Sequence, residues 1–135
     1  MLVDGNGIPL AARVTAANTH DVTQLIELVD AVPPVRGKRG APRRRPKRLY
    51  GDRAYDSRVH RMRLWIRGIE PHLAARQTAH GSGLGVYRWV VERTIAWLHQ
   101  FKRLRIRYER RAEIHEAFLT LGCCPICLDA LLGRF

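Results

Sequence analysis

A chain of 135 residues and 15.5 kDa has room for one ordinary domain or for part of a larger one. Apolar residues make up 46%, enough for a core, which excludes wholesale disorder. The 24 basic residues outnumber the 12 acidic ones and leave +12, a balance that points to a polyanionic partner: nucleic acid first, an anionic membrane surface second.

The chain opens on a hairpin pattern. Met1–Val3 and Ile8–Thr15 are apolar-rich runs around Asp4-Gly5-Asn6-Gly7, and Asp-Gly and Asn-Gly both favour positive φ. Ile8, Leu10, Ala12 and Val14 fall on one face of the second strand. Polar Asn18–Asp21 offers helix caps. Val22, Leu25, Ile26, Leu28 and Val29 then repeat at helical spacing, which predicts a helix from about Val22 to Val32, stopped by Pro33-Pro34. Arg36–Arg48 follows with eight basic residues and no acid. Such a run is either a solvated loop or a nucleic-acid contact.

Arg48–Gly51 predicts a brief strand with Asp52 at its C-terminal tip, Ser57–Gly68 a helix, Glu70–Ala74 a strand, and Gln77–Gly85 a polar loop. Tyr87–Phe101 and Glu113–Leu132 predict two more helices, the second weakened near Pro125. Between them, Phe101–Arg111 holds six basic residues and one acid, Glu109. The two basic segments together carry +13, so the rest of the chain nets −1. Phe101 and Tyr108 interleave the second block, and aromatics beside Arg stack on bases. Most of the affinity would come from phosphates and would fall with salt.

This alternation predicts an α/β fold, a mixed sheet with helices against it. Residues 112–135 are expected to pack as a C-terminal helix on the same domain as 1–111. No window reaches the ~18–20 uncharged apolar residues of a membrane span. The best run, Ala117–Leu128, is short and contains Pro125, and the N-terminus lacks a signal-peptide pattern. Cys123, Cys124 and Cys127 are odd in number and local, which argues against a disulfide framework. A reducing cytoplasmic setting without a membrane partner is the expectation. Cys124 and Cys127 read as buried helix thiols before half a zinc site. His20, His60, His72 and His80 read as surface or capping residues. Trp65, Trp89 and Trp97 read as core.

Two carboxylates stand out. The helix Tyr87–Phe101 is so apolar, with Trp89, Val90, Val91, Ile95, Trp97 and Leu98, that most of its circumference is expected to be buried. Arg88, Glu92, His99 and Arg103 lie within roughly 60° of one another on its wheel. Arg88 and Glu92 are an i,i+4 pair. A carboxylate on such a helix must be paired, protonated or bound to a cation. The plain reading is an Arg–Glu ion pair. Asp52, at a strand's carboxyl end, has the position that open α/β sheets give to ligand and catalytic groups, although a cap or turn Asp looks the same in sequence. As hard oxygen ligands, Asp52 and Glu92 suit Mg²⁺, and two such ions serve phosphodiester chemistry.

The stretches LVDGNGIPLAARVTAANTHDVTQL, GDRAYDS and HGSGLGVYRWVVERTIAWLHQFKRLRIRYERR resemble the DDE transposases of bacterial insertion sequences. The resemblance extends over nearly the whole chain. It implies an RNase H-like fold, here a partial catalytic domain over 1–111 with the basic loop 36–48. It also implies three acidic residues holding two divalent ions, Mg or Mn, and DNA cleavage and joining without a covalent protein intermediate. The second family Asp maps onto Asp52, and the R-x3-E motif maps onto Arg88 and Glu92. Asp56 matches a further motif position without a metal role. The family's tyrosine three residues before the Arg and lysine seven after the Glu are Gly85 and His99 here. Arg43, Arg44, Arg45, Lys102, Arg103, Arg105 and Arg107 would hold the DNA backbone at element ends and target, and the protein would be associated with the bacterial nucleoid. The family's first Asp sits on a strand upstream of the opening hairpin, and Asp4 reads as turn chemistry. The resemblance therefore implies that the first carboxylate and the first sheet strand are absent, and that the chain alone is inactive and marginally folded. It would be the downstream half of a frameshifted transposase, partnering the upstream half or another copy, or else a remnant that binds DNA without reacting.

Overall fold

Asp4 closes the first hairpin with its own carboxylate, whose Oδ1 accepts from the amides of Asn6 at 2.9 Å and Ile8 at 2.8 Å. Gly7 completes the turn at φ +86°, a conformation that L side chains rarely adopt. The flanking strands β1 (Leu2–Val3) and β2 (Pro9–Ala11) pair antiparallel, as the Asp-Gly-Asn-Gly turn predicts. The computed structural model describes residues 1–15, 19–37, 39–75 and 85–134, so the predicted loop at Gln77–Gly85 lies outside the described residues except for Gly85. The chain divides into two compact units, one of Met1–Ala17 with Trp89–Phe135 and one of Asn18–Arg88.

The remaining elements are α1 (Asp21–Asp30), β3 (Arg48–Gly51), a 3-10 turn at Arg53–Tyr55, α2 (Arg58–Ile66), β4 (Glu70–Leu73), α3 (Gly85–Leu98), α4 (Lys102–Arg105) and α5 (Ala112–Leu131). The α/β content matches expectation. The mixed sheet does not: the described strands form two separate two-stranded sheets, β1–β2 antiparallel and β3–β4 parallel. The physical difference lies in the connections. A tight turn closes β1–β2 locally, whereas β3 and β4 need α2 as a crossover.

In the unit Asn18–Arg88, α1 buries Leu25, Ile26, Leu28 and Val29 against α2 and the 3-10 turn. Leu64 of α2 and the following Ile69 are fully buried. β3 and β4 pair in register from Arg48↔Glu70 to Gly51↔Leu73. Leu49, Pro71 and Leu73 are buried, while Arg48, Tyr50, Glu70 and His72 have more exposure, the period-2 pattern of a half-covered sheet. Inside the basic segment, Val35 and Arg43 exchange both backbone hydrogen bonds at 2.8 Å, with Gly40 at φ +96° between them. A narrow antiparallel bridge therefore shapes part of the run that reads as a plain loop.

In the other unit, α3 buries Val90, Thr94 and Leu98, an i,i+4,i+8 stripe. This corrects the expectation of a mostly buried helix. Trp89 keeps 47% of its surface and Ile95 37%. The reason is visible at Arg93, whose guanidinium carbon lies 4.4 Å from the Trp89 ring centroid and 4.8 Å from that of Trp97. A cation sandwiched between indoles makes an exposed aromatic stripe tolerable. Trp65 in the first-described unit is also exposed, against its reading as core. Helix α5 runs unbroken through Pro125 and packs on α4 and β2. Gly122 allows the close approach, since a Cβ there would stand 2.6 Å from Leu104 Cδ1 and 3.1 Å from Leu98 Cδ2. Leu121, Leu128 and Leu131 of α5 stay exposed. At 20 residues and a mean hydropathy of 1.4 over its best window, α5 is long and apolar enough to cross a bilayer by length and composition alone, which the shorter Ala117–Leu128 run did not suggest. A soluble core helix meets the same test.

Candidate functional site

Asp52 sits where β3 ends, as the sequence predicts. Its backbone is extended at φ −73° and ψ 168°, and its Oδ1 accepts from the Arg53 amide at 2.5 Å. Asp52 thereby caps the 3-10 turn, so the strand-tip reading and the cap reading hold at once. The turn is fixed from its far side. Arg61 Nε donates to Asp56 Oδ1 at 2.7 Å, and Arg61 Nη2 donates to the Leu73 carbonyl at 2.8 Å. One planar guanidinium thus links the segment after Asp52 to the end of β4. Arg61 carries no sequence motif that would have singled it out.

Glu92 lies on α3 on an exposed face, which corrects the expectation of a carboxylate in greasy surroundings. Arg88 lies one turn before it on the same helix, and its side chain is outside what the structure describes. Asp52 belongs to the unit Asn18–Arg88 and Glu92 to the other unit. Among the described residues, no three His, Cys, Asp or Glu side chains gather as a donor group for a metal ion. The capping bond further occupies one Asp52 oxygen. The Asp52 and Glu92 carboxylates are nevertheless hard oxygen donors of the kind that Mg or Mn takes, one or two at a time.

Arg43, Arg44, Arg45, Lys102, Arg103, Arg105 and Arg107 are all exposed, and three of them make contacts within the chain. Arg45 Nη1 donates to the Arg67 carbonyl at 3.3 Å, and Arg107 Nε to the Glu109 carbonyl at 3.0 Å. Arg103 is the most committed: Nη1 meets Glu109 Oε1 at 2.5 Å, and the guanidinium lies 5.0 Å from the Phe118 ring centroid. Burial is the largest single influence on Glu109 and opposes its ionisation, but the Arg103 hydrogen bond, backbone hydrogen bonds and the Arg103 charge together outweigh it and hold the carboxyl below its usual range. The single acid of the second basic block therefore takes one of the arginines assigned to DNA by sequence. His115 Nδ1 stands 3.8 Å from Glu109 Oε2.

The outer face of β3–β4 carries a feature that sequence reasoning missed. Tyr50 stacks on His72 at 4.9 Å between ring centroids and on Tyr87 at 4.1 Å, with planes 26° and 20° apart. Beside the rings, Arg48 Nε meets Glu70 Oε2 at 3.2 Å, and His72 Nε2 lies 3.0 Å from Glu70 Oε1. The alternation of Arg48 and Tyr50 with Leu49, and of Glu70 and His72 with Pro71, was the signal for a shared outer face.

With this geometry in hand, the comparisons with known proteins are specific. A family model described as the transposase DDE domain matches residues 1–127. The chain belongs to that family. It is also 64% identical over 131 residues to a Burkholderia cepacia protein named "Putative transposase for insertion sequence element IS402". The match covers 97% of this chain and 62% of the relative, so the chain spans less than two thirds of the length of the curated relative it matches. No solved structure matches the chain significantly. The DDE-domain match starts at residue 1 and takes in the hairpin, the Asp52 segment and the R-x3-E helix alike.

Proposed function

We propose that this chain acts in DNA transposition, as part of a transposase that binds double-stranded DNA at element ends and target and, within the complete enzyme, hydrolyses phosphodiesters and transfers strands. The observation that carries the reading is the match of a transposase DDE domain across residues 1–127, together with the GDRAYD and R-x3-E motifs inside it. An RNase H-like arrangement of the catalytic domain, in the bacterial cytoplasm close to the nucleoid, belongs to the same reading.

Asp52 and Glu92 are the carboxylates assigned to a divalent ion, Mg or Mn, which would supply Lewis-acid stabilisation of the phosphoryl oxygens when bound. Arg88 is assigned to orient Glu92. What the chain's own residues do is electrostatic. Exposed Arg43, Arg44, Lys102 and Arg105 neutralise phosphates, with Arg45, Arg103 and Arg107 in support, and the Asp52 cap fixes the strand end on which one carboxylate is carried. Neutralising several phosphates gives a steep fall of affinity with salt.

A second reading, a basic DNA-binding protein without catalysis, draws on the Asp52 carboxylate acting as a cap and on the lack of a three-donor cluster among the described residues. One experiment separates them. A marked insertion-sequence element is mobilised by a transposase containing this chain, with and without Asp52→Asn or Glu92→Gln, while duplex binding is followed by anisotropy. Loss of transposition with retained binding supports the enzyme. Transposition that survives both substitutions overturns it, and absence of salt-sensitive duplex binding overturns both readings.

A further inference from the structure

The outer face of the β3–β4 sheet is an aromatic ladder, not a random patch. His72, Tyr50 and Tyr87 stack in that order, all within the unit Asn18–Arg88. Tyr50 is the shared ring, stacked against both His72 and Tyr87. Tyr87 is the terminal ring, and it keeps 49% of its surface exposed. Beside the ladder, Arg48 forms an ion pair with Glu70, and His72 Nε2 lies 3.0 Å from the other Glu70 oxygen. The Arg48 side chain remains 62% exposed. It is also the last residue of the Arg36–Arg48 basic segment, which runs directly into β3. The same strand ends at Gly51, immediately before Asp52.

We propose that this ladder is a stacking platform for an unpaired base of single-stranded DNA, with the base lying on the outer face of Tyr87 and its flanking phosphates held by Arg48 and the arginines that precede it. The chemistry is selective. A base within a duplex already has stacking neighbours and offers its edges, whereas an unpaired base offers a π face to a ring. A platform of aligned rings at the end of a basic run suits a backbone that carries both a π face and a negative charge. The proposal rests on the nucleic-acid reading above and adds to it the strand state of the ligand and the residues that recognise it.

The test uses the full 135-residue chain and a single-stranded DNA oligonucleotide carrying one 2-aminopurine, with a duplex of the same sequence beside it. Stacking on Tyr87 quenches the probe. Tyr87→Ala is expected to weaken single-strand binding about tenfold and remove the quenching, with duplex affinity changed less than about twofold. Tyr87→Phe, which keeps the ring, is expected to restore both. Circular dichroism of Tyr87→Ala, which changes only the first turn of α3, identifies any loss of fold, and Tyr87→Phe failing to rescue a folded protein overturns the platform. Duplex binding without single-strand quenching, or equal losses on single strand and duplex, overturns it while leaving the nucleic-acid reading intact. Preference for single-stranded RNA over DNA overturns the assigned ligand. No binding to either DNA form overturns the platform together with the reading beneath it.

Discussion

Thr94 Oγ1 donates a hydrogen bond of 2.7 Å to the carbonyl oxygen of Gly7, tying the middle of α3 to the tip of the first hairpin. Both residues are buried, and a backbone carbonyl at a hairpin turn has no strand partner of its own. Thr94→Val keeps the shape and removes the donor. It is expected to cost about 1–3 kcal/mol in urea unfolding, because the Gly7 carbonyl is left unsatisfied away from water. Thr94→Ser is expected to recover most of the loss. Gly7→Ala strikes the same contact from the other side, since its backbone has φ +86° and the new Cβ would stand 2.9 Å from Thr94 Oγ1. The double variant should then fall short of additivity by at least about 0.5 kcal/mol.

Arg61 is the second joint. Its Nε and Nη2 reach Asp56 and the Leu73 carbonyl in two directions at once. Lysine carries the same charge on a single ammonium and cannot span both. Arg61→Lys is expected to lower stability by about 1–2 kcal/mol and to speed amide exchange at Arg53–Tyr55 and Leu73. Unchanged exchange at those amides would mean that the turn behind Asp52 stands without the guanidinium.

The local elements were largely legible. Asp-Gly-Asn-Gly specifies a hairpin through backbone sterics, and β3 runs over the expected Arg48–Gly51 because a basic run and a Gly-Asp pair bound a two-residue apolar core. Pro33-Pro34 lies just past the end of α1 at Asp30. What sequence periodicity does not report is coverage. The α3 pattern counts apolar residues, but among its described side chains only the Val90, Thr94 and Leu98 stripe is buried, and Trp89 faces solvent beside Arg93. Spacing likewise placed Asp52 at a strand tip and Glu92 on a helix, yet Glu92 is exposed and the Tyr50 ladder went unseen, because its partners come from three elements. The short α4 is a single turn within a basic block, with no apolar period of its own to announce it.

The three cysteines differ in environment. Cys124 is exposed, against the expectation of buried thiols, while Cys123 and Cys127 are partly covered. Burial first, and neighbouring thiols second, push the Cys123 and Cys127 thiols above their ordinary range. The thiolate is the reacting form, so both should react slowly at neutral pH. Timed alkylation with mass spectrometry at pH 7.5 should therefore label Cys124 first, and Cys124→Ser should abolish the fast phase. A fast phase that persists in that variant would place reactivity on Cys123 or Cys127 instead.

Acid should loosen the contact between α1 and the end of α2. Arg67 donates to both oxygens of Asp30, through Nε at 2.9 Å and Nη2 at 2.7 Å. The Arg67 hydrogen bond lowers the Asp30 carboxyl below its ordinary value of 3.8, against a smaller opposing effect of burial. A carboxyl whose native pKa is depressed binds protons more readily when unfolded. The stability it contributes is therefore complete above about pH 4 and disappears as pH falls through the lowered native value. The Asp30 side chain retains 46% exposure, so solvent screening keeps the contribution to at most about 1 kcal/mol. Urea midpoints of the wild type and Asp30→Asn should thus differ at pH 7 and converge once the pH has fallen below the depressed native value of Asp30, with Arg67→Met behaving like Asp30→Asn. High salt should shrink the pH 7 difference. A gap that persists undiminished at low pH would assign the role of Asp30 to packing rather than to its charge.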